Sequence, residues 1–283
     1  MRLLTVLAAL LVSLSLQAET FTFTAIPDQD ESRLQARFGK VANYLQTQLG
    51  VEVEYLPVKS YAAAVNAFRN NQVQLAWFGG LSGVQARDRV PGSHAIAQGY
   101  EDQFFKTYFI AHQSSGLKKS AEFPQSLQHL NFTFGAKGST SGRLMPEYYI
   151  RLHHYKAPSA VFKRVGFSGD HSRTIALVQS GAYQLGAVNY KVWEKELAAG
   201  LIDTSKVQVI WETPSYPDYQ WTIRGDVDRR WGQGFSDKVK SSLLGMQDKA
   251  LLAAFPRQSF VEASNADYQP IKDTAVAIGL IDR

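Results

Sequence analysis

The sequence predicts an α/β protein of two lobes, each a mostly parallel sheet flanked by helices, with a ligand cleft between the lobes. Stretches of strand and helix character alternate along the chain, as is typical of parallel sheets covered by helices. The alternation occurs twice, before and after residue 125, and therefore indicates two sheets. Polar and glycine-rich loops follow the predicted strands, at the edge where open α/β sheets bind ligands.

Three strand–helix units make up the first half of the chain. The predicted strands cover residues 21–26, 51–56 and 73–78. Apolar residues at three-to-four spacing predict helices over 32–49 and about 60–71, and Ser82 caps a third helix. This order requires crossover connections and hence parallel neighbouring strands.

The second half repeats the pattern. Its predicted strands cover residues 131–136, 161–165, 185–188 and 207–211, and its helices cover about 142–154, 172–180 and 191–199. Extended segments at 106–112 and 210–223 could cross between the lobes, and a helical tail at 235–283 returns to the first lobe. We therefore assign residues 19–110 plus 213–283 to lobe 1 and residues 111–212 to lobe 2.

Residues 1–18 have the pattern of a secretory signal peptide. Arg2 is followed by a short apolar run and by Gln17-Ala18, a small-residue cleavage site. The run is too short to be a typical transmembrane helix. The sequence contains no cysteine, which argues against a lipid anchor and against disulfides. We expect a periplasmic protein that is released from its leader.

The composition favours an ordinary globular protein that binds no nucleic acid and no metal. The hydrophobic fraction is 45%, the charged fraction is 19%, and the net charge of +5 is spread along the chain. His153 and His154 are neighbours on one predicted helix and point in different directions, so they are poor metal ligands. No cofactor is predicted.

The most informative motif is the hydroxyl turn, residues 138–142 (GSTSG), which links a strand to a helix. The first N–H groups of a helix have no intrahelical partner and lie at the positive end of its dipole. Ser139, Thr140 and Ser141 add neutral donors at the same place. An ordinary helix cap would explain one hydroxyl. Three in a row between glycines favour an anion site.

The hydroxyl turn does not match the common catalytic loops. A P-loop ends in Gly-Lys-Ser/Thr, but Lys137 precedes the second glycine here. A hydrolase elbow has serine at the centre of Gly-x-Ser-x-Gly, where this chain has Thr140. The turn is therefore predicted to hold an anion without transforming it, and the protein is predicted not to be an enzyme.

Several segments resemble periplasmic binding proteins for phosphonate, phosphite and phosphate, which serve ABC importers. The segments are residues 60–65 (SYAAAV), 74–80 (QLAWFGG), the hydroxyl turn and 168–171 (SGDH). Residues 25–34 and 77–87 look closer to a selenate-binding branch of the same family. The resemblance covers the whole chain after the leader. It implies a type II fold that closes on its ligand, a permease partner in the inner membrane and a monomer.

The resemblance also implies roles for individual residues. Ser139, Thr140 and Ser141 would donate to the anion, and Tyr61 would add a hydroxyl or an aromatic wall. The remaining implied positions are Trp77 or Phe78 in the floor, Tyr108 from the hinge side and His171 at a helix start in lobe 2. Core packing is an equal alternative for Trp77.

Asn189 departs from the family pattern, which often has an acidic residue at this strand end. A carboxylate in an anion site helps only when the ligand carries a proton to share, and it repels a fully deprotonated dianion. An asparagine removes that repulsion and offers N–H donors. If Asn189 faces the cleft, the sequence predicts selenate or sulfate above phosphate.

Three functions remain open from the sequence. The first is a transport receptor that delivers an oxyanion to a permease. The second is a sensory module that presents the same ligand to a kinase. The third is a periplasmic phosphoesterase or sulfatase, which would need metal ligands or an activated nucleophile, such as His171 acting on a hydroxyl across the cleft.

Overall fold

The computed structural model of the chain describes residues 19–29, 31–253 and 255–282, without the side chains of residues 31–33. The predicted signal peptide lies outside the described residues. The strands are β1 (Phe21–Ala25), β2 (Val53–Tyr55), β3 (Leu75–Phe78), β4 (His94–Gly99), β5 (Thr107–His112), β6 (Asn131–Phe134), β7 (Arg164–Phe167), β8 (Leu185–Asn189), β9 (Val207–Glu212), β10 (Gln220–Ile223) and β11 (Phe260–Glu262). They form a six-stranded sheet of order β11-β4-β10-β3-β1-β2 and a five-stranded sheet of order β7-β6-β8-β5-β9.

Helices connect the strands of both sheets. They are α1 (Glu31–Leu49), α2 (Tyr61–Arg69), α3 (Gly80–Arg89), α4 (Met145–His154), α5 (Pro158–Val161), α6 (His171–Gln179), α7 (Tyr190–Ala198), α8 (Val227–Trp231), α9 (Phe235–Leu244), α10 (Lys249–Leu252) and α11 (Gln269–Ala277). A π-helical turn, Thr140–Leu144, precedes α4. Within the described part of the chain, no helix is long and apolar enough to cross a membrane.

The two-lobed α/β architecture is confirmed, but each sheet is mixed rather than mostly parallel. Parallel pairing joins β1 to β2 and β3 in the first sheet and β6 to β7 and β8 in the second. Strands β10 and β5 run antiparallel to their neighbours. Both follow a crossing between lobes, so they start at the edge where the parallel strands end and run in the opposite direction.

The predicted lobe boundary at residues 110 and 111 falls inside β5, which pairs wholly within the second sheet. We therefore propose that lobe 2 starts at Thr107. Ahead of β5, the two crossing segments pair with each other, since Phe105 and Tyr216 exchange backbone N–H···O bonds of 2.9 and 3.0 Å. We call this paired segment the hinge. Behind it, a buried ion pair joins Arg257 Nη2 to Asp102 Oδ1 at 2.7 Å.

Apolar clusters hold each lobe together. Every residue of β3 and β8 is buried, as expected for central strands covered on both faces. In lobe 2, separate apolar clusters include Phe132 and Val188. The rigid sheets therefore hold the loops at their edges, including the hydroxyl turn that follows β6.

Candidate functional site

The hydroxyl turn lies between the end of β6 and α4, and its three hydroxyl side chains are buried. Ser139 caps the turn, because its Oγ accepts the Gly142 N–H at 2.9 Å. A side chain at Gly142 would meet Ser139 Oγ at 3.0 Å and the His171 ring at 3.1 Å. Glycine at this position therefore allows the turn and the histidine to approach each other closely.

Both lobes meet at this turn. Thr140 Oγ1 in lobe 2 accepts the Leu81 N–H at 3.0 Å, at the start of α3 in lobe 1. The Cβ atom of Tyr61 would lie 2.9 Å from a Cβ added at Gly138. Tyr61 from lobe 1 is thus packed directly against the hydroxyl turn.

The hydroxyl of Tyr61 is a buried donor next to the Ser139 side chain. Its oxygen has no hydrogen-bond partner of good geometry among the described residues. Burial raises the pKa of Tyr61 well above its ordinary value, so the hydroxyl keeps its proton. It is available to donate to a bound anion.

His171, at the start of α6, is a second neutral donor. Its Nδ1 accepts the Asn189 N–H at 3.2 Å, so the proton of the neutral ring resides on Nε2, 3.5 Å from Ser141 Oγ. Burial lowers the pKa of His171 to about 4, although the Asp28 carboxylate opposes this shift. The ring is therefore neutral at physiological pH and directs an N–H toward the hydroxyl turn.

Asn189 joins the two lobes. Its Nδ2 donates to the Tyr219 hydroxyl at 2.9 Å, and that hydroxyl donates to Asp28 Oδ2 at 3.0 Å. Its Oδ1 caps α7 by accepting the N–H groups of Lys191 and Val192. The side chain faces lobe 1, but its carbonyl is committed to the helix cap and one amide N–H to Tyr219.

The sequence interpretation missed Asp218, which is buried beside the turn. Its Oδ1 accepts the Gly80 N–H at 2.9 Å, while its Oδ2 is buried without a hydrogen-bond partner among the described residues. Burial raises the pKa of Asp218 to about 7, against the opposing effects of the Thr140 hydroxyl and the Gly80 N–H. Both protonation states of Asp218 are therefore accessible near neutral pH.

Asp218 removes the premise of the selenate prediction. That prediction held that the site contains no carboxylate because Asn189 replaces an acidic residue, but Asp218 supplies a carboxyl from lobe 1. The local signal was weak, since Asp218 and Tyr219 simply precede the short buried strand β10. Their position follows from the antiparallel register that puts Gln220 opposite Phe78.

The predicted aromatic residues separate into two groups. Trp77 stacks on Tyr219, with ring centroids 5.5 Å apart, and so lies beneath the contact between lobes. Phe78 instead packs on Phe68 in the lobe 1 core. Tyr108 bonds Glu194 through its hydroxyl at 3.3 Å. The structure brings neither Phe78 nor Tyr108 to the hydroxyl turn.

Tyr108 was expected to reach the site from the hinge side, but Thr107 does so instead. The two residues are neighbours in strand β5, and successive strand residues point to opposite faces. The Thr107 hydroxyl donates to Ser141 O at 2.9 Å and shares a 2.6 Å hydrogen bond with the Tyr216 hydroxyl. This network fixes the hydroxyl turn to the hinge. Among the residues that the structure describes, no cluster of three or more His, Cys, Asp or Glu could hold a metal ion.

The chain is similar to known periplasmic binding proteins. The family described as "ABC transporter, phosphonate, periplasmic substrate-binding protein" matches residues 23–268. The chain belongs to this family. Its members are substrate-binding proteins of ABC importers, which confirms the resemblance, the periplasmic assignment and the interpretation of a binding protein rather than an enzyme.

Two solved or curated relatives extend the comparison. The probable ABC transporter phosphite binding protein PhnD1 of Prochlorococcus marinus (strain MIT 9301) is 42% identical over 261 residues, covering 88% of this chain and 86% of PhnD1. The structure of PhnD1 with methylphosphonate superposes with a TM-score of 0.87 at 40% identity, over 93% of this chain and 99% of that one. The phosphonates-binding periplasmic protein of Escherichia coli (strain K12) is 23% identical, over 92% of this chain and 77% of its own length.

Proposed function

We propose that the protein captures a small tetrahedral oxyanion of phosphorus, of the methylphosphonate or phosphite type, and delivers it to an ABC permease. The observation that carries the proposal is a pair of buried polar atoms, Tyr61 Oη and Asp218 Oδ2, that lie beside the hydroxyl turn and have no hydrogen-bond partner of good geometry in the part of the chain that the structure describes. One is a donor, and the other belongs to a carboxyl that can share a proton. PhnD1, described as a phosphite binding protein and solved with methylphosphonate, supports the same ligand class.

Fixed neutral dipoles would bind the anion. The first N–H groups of the π-helical turn, the hydroxyls of Ser139 and Ser141, His171 Nε2–H and the Tyr61 hydroxyl can donate to its oxygens. The Thr140 hydroxyl instead donates to Asp218. Such donors hold a buried anion without bringing a further charge into the protein. Closure of the lobes would exclude water and strengthen each of these interactions.

Asp218 would let the site take up the anion together with one proton. A monoanion with a P–OH group can donate to ionised Asp218, and a dianion can accept from protonated Asp218. Sulfate and selenate carry no proton near neutral pH, so they would depend on protonated Asp218 alone. We therefore propose phosphonate and phosphite above selenate and sulfate.

Calorimetric titration of protein refolded from denaturant tests this proposal. We expect methylphosphonate and phosphite to bind more tightly than sulfate and selenate. Tyr61→Phe should weaken methylphosphonate binding, while Tyr44→Phe serves as a matched control because Tyr44 donates to the remote Ser242 carbonyl. Tight binding of selenate or sulfate alone would refute the proposal, and so would an equal effect of the two tyrosine variants.

We further propose that the working form is a monomer whose leader is cleaved after Ala18 and which carries no lipid. The absence of cysteine supports the last point, since a lipoprotein anchor is attached to one. Mass spectrometry of the protein from the periplasm should give the unmodified mass starting at Glu19, and light scattering should give one copy. A heavier mass or a dimer would contradict this part of the proposal.

A further inference from the structure

A groove of about 560 Å³ opens between the lobes next to Tyr61. Lobe 1 contributes the start of α2 and the end of α3, and lobe 2 contributes the residues before the hydroxyl turn and the loop after β7. Gly138 and Tyr61 line the groove as well as the anion site, so the two are adjacent. The groove therefore opens directly beside the hydroxyl turn.

The charged residues that line this groove are all basic: Lys59, Arg89 and Lys137. All three side chains are exposed. Within the described residues, none of them forms an ion pair with a carboxylate, and Lys137 contacts the ring of Phe167 instead, 5.5 Å from its centroid. The nearby Asp170 is directed to its own helix, where it accepts the Arg173 N–H at 2.7 Å. The groove is therefore a positively charged opening.

The anion site itself provides little attraction at a distance. Its donors are neutral, His171 included, and the carboxyl groups of Asp28 and Asp218 lie beside it. Dipoles act only at short range, whereas charges act over a Debye length of about 10 Å at 0.1 M salt. Exposed cations at the groove would therefore add long-range attraction that the neutral donors do not supply.

We propose that this groove is an encounter site, at which Lys59, Arg89 and Lys137 attract a divalent oxyanion before it passes to the hydroxyl turn. The inference rests on the proposed function of the site. A positively charged cleft raises the local concentration of an anion and increases its association rate by about 10- to 1000-fold. The three cations act on association and not on the closed complex, where the hydroxyl turn holds the ligand.

Stopped-flow tryptophan fluorescence with methylphosphonate at about pH 8 tests the encounter site, with Trp77 as a reporter because it stacks on Tyr219. The variant carries Lys59→Gln, Arg89→Gln and Lys137→Gln. At about 0.01 M salt we expect its association rate to fall about tenfold with an unchanged dissociation rate. At about 1 M salt, where the Debye length is about 3 Å, the two proteins should become equal.

A matched control removes the same charge elsewhere, through Lys118→Gln, Lys119→Gln and Lys163→Gln, none of which lines the groove. The control should keep the wild-type rate. Equal association rates for the groove variant and wild type would overturn the inference, as would a faster dissociation as the sole effect or an equal loss in the control. Absence of any binding by the wild-type protein would instead refute the proposed function.

Discussion

Replacing Asp218 with asparagine should change how stability depends on pH. Burial raises the pKa of this carboxyl from 3.8 to about 7 in the folded protein. A raised folded-state pKa stabilises the fold below the unfolded pKa, and this stabilisation is lost as pH rises through the folded pKa. A shift of about three pKa units corresponds to about 4 kcal/mol, lost between about pH 4 and pH 7.

Asp218→Asn does not titrate, and its Oδ1 can still accept the Gly80 N–H. At about pH 4 the variant and wild type should be of similar stability, because both place a neutral donor at the buried Oδ2 position. The difference should then grow in favour of the variant by about 1.4 kcal/mol per pH unit and level off above about pH 7.

Urea unfolding of the ligand-free proteins between about pH 4 and pH 8 measures this difference. Glu122→Gln provides a control, because Glu122 is an exposed carboxylate. Its stability curve should run parallel to that of wild type. Parallel curves for wild type and Asp218→Asn would refute the reasoning, since they would show that Asp218 titrates alike in the folded and unfolded chains.

Three further predictions concern the turn, the histidine and the hinge. Thr140→Val leaves the buried Leu81 N–H without its acceptor and should weaken methylphosphonate binding by about 5- to 150-fold in calorimetry; an unchanged affinity would contradict the role of Thr140 in closure. In an NMR titration, His171 should show a pKa of about 4, and a midpoint at the ordinary value near 6.5 would contradict a neutral donor. Asp102→Asn should lower the free energy of unfolding by about 3–5 kcal/mol, because it leaves the buried Arg257 cation uncompensated. Urea unfolding checks this, and the additional change Arg257→Met should restore part of the loss.

Much of the fold could be predicted because its signals are local. The helix predicted over residues 32–49 is observed as Glu31–Leu49, and the strand from residue 131 leads into the hydroxyl turn as expected. The strands β4, β10 and β11 were not predicted. Two of them have only three or four residues, and all three pair antiparallel with strands distant in sequence. Nothing in their own residues specifies these partners.

The residues of the site likewise include some that a local motif predicts and one that it does not. Ser139, Thr140 and Ser141 are adjacent in the chain, so one motif indicates them together. Asp218 reaches the turn from the far side of the hinge, and it does so through the pairing of β10 with β3. The position of the Asp218 carboxyl therefore depends on strand pairing and could not be predicted from a local motif. The three hydroxyl residues could be predicted, because they are adjacent in the sequence.

Three hydrogen bonds join the lobes without involving the proposed anion: Leu81 to Thr140, His171 to Asp28, and Asn189 to Tyr219. Contacts of this kind can affect how tightly any ligand is held without affecting which ligand is preferred. Each contributes about 0.5–1.5 kcal/mol to this arrangement of the lobes regardless of which anion is bound. Evolution or an engineer could thus set how tightly every ligand is retained by adjusting these contacts. The order of preference among ligands would stay with Tyr61 and Asp218, so a sensor made from this scaffold could be shifted in working concentration without changing what it detects.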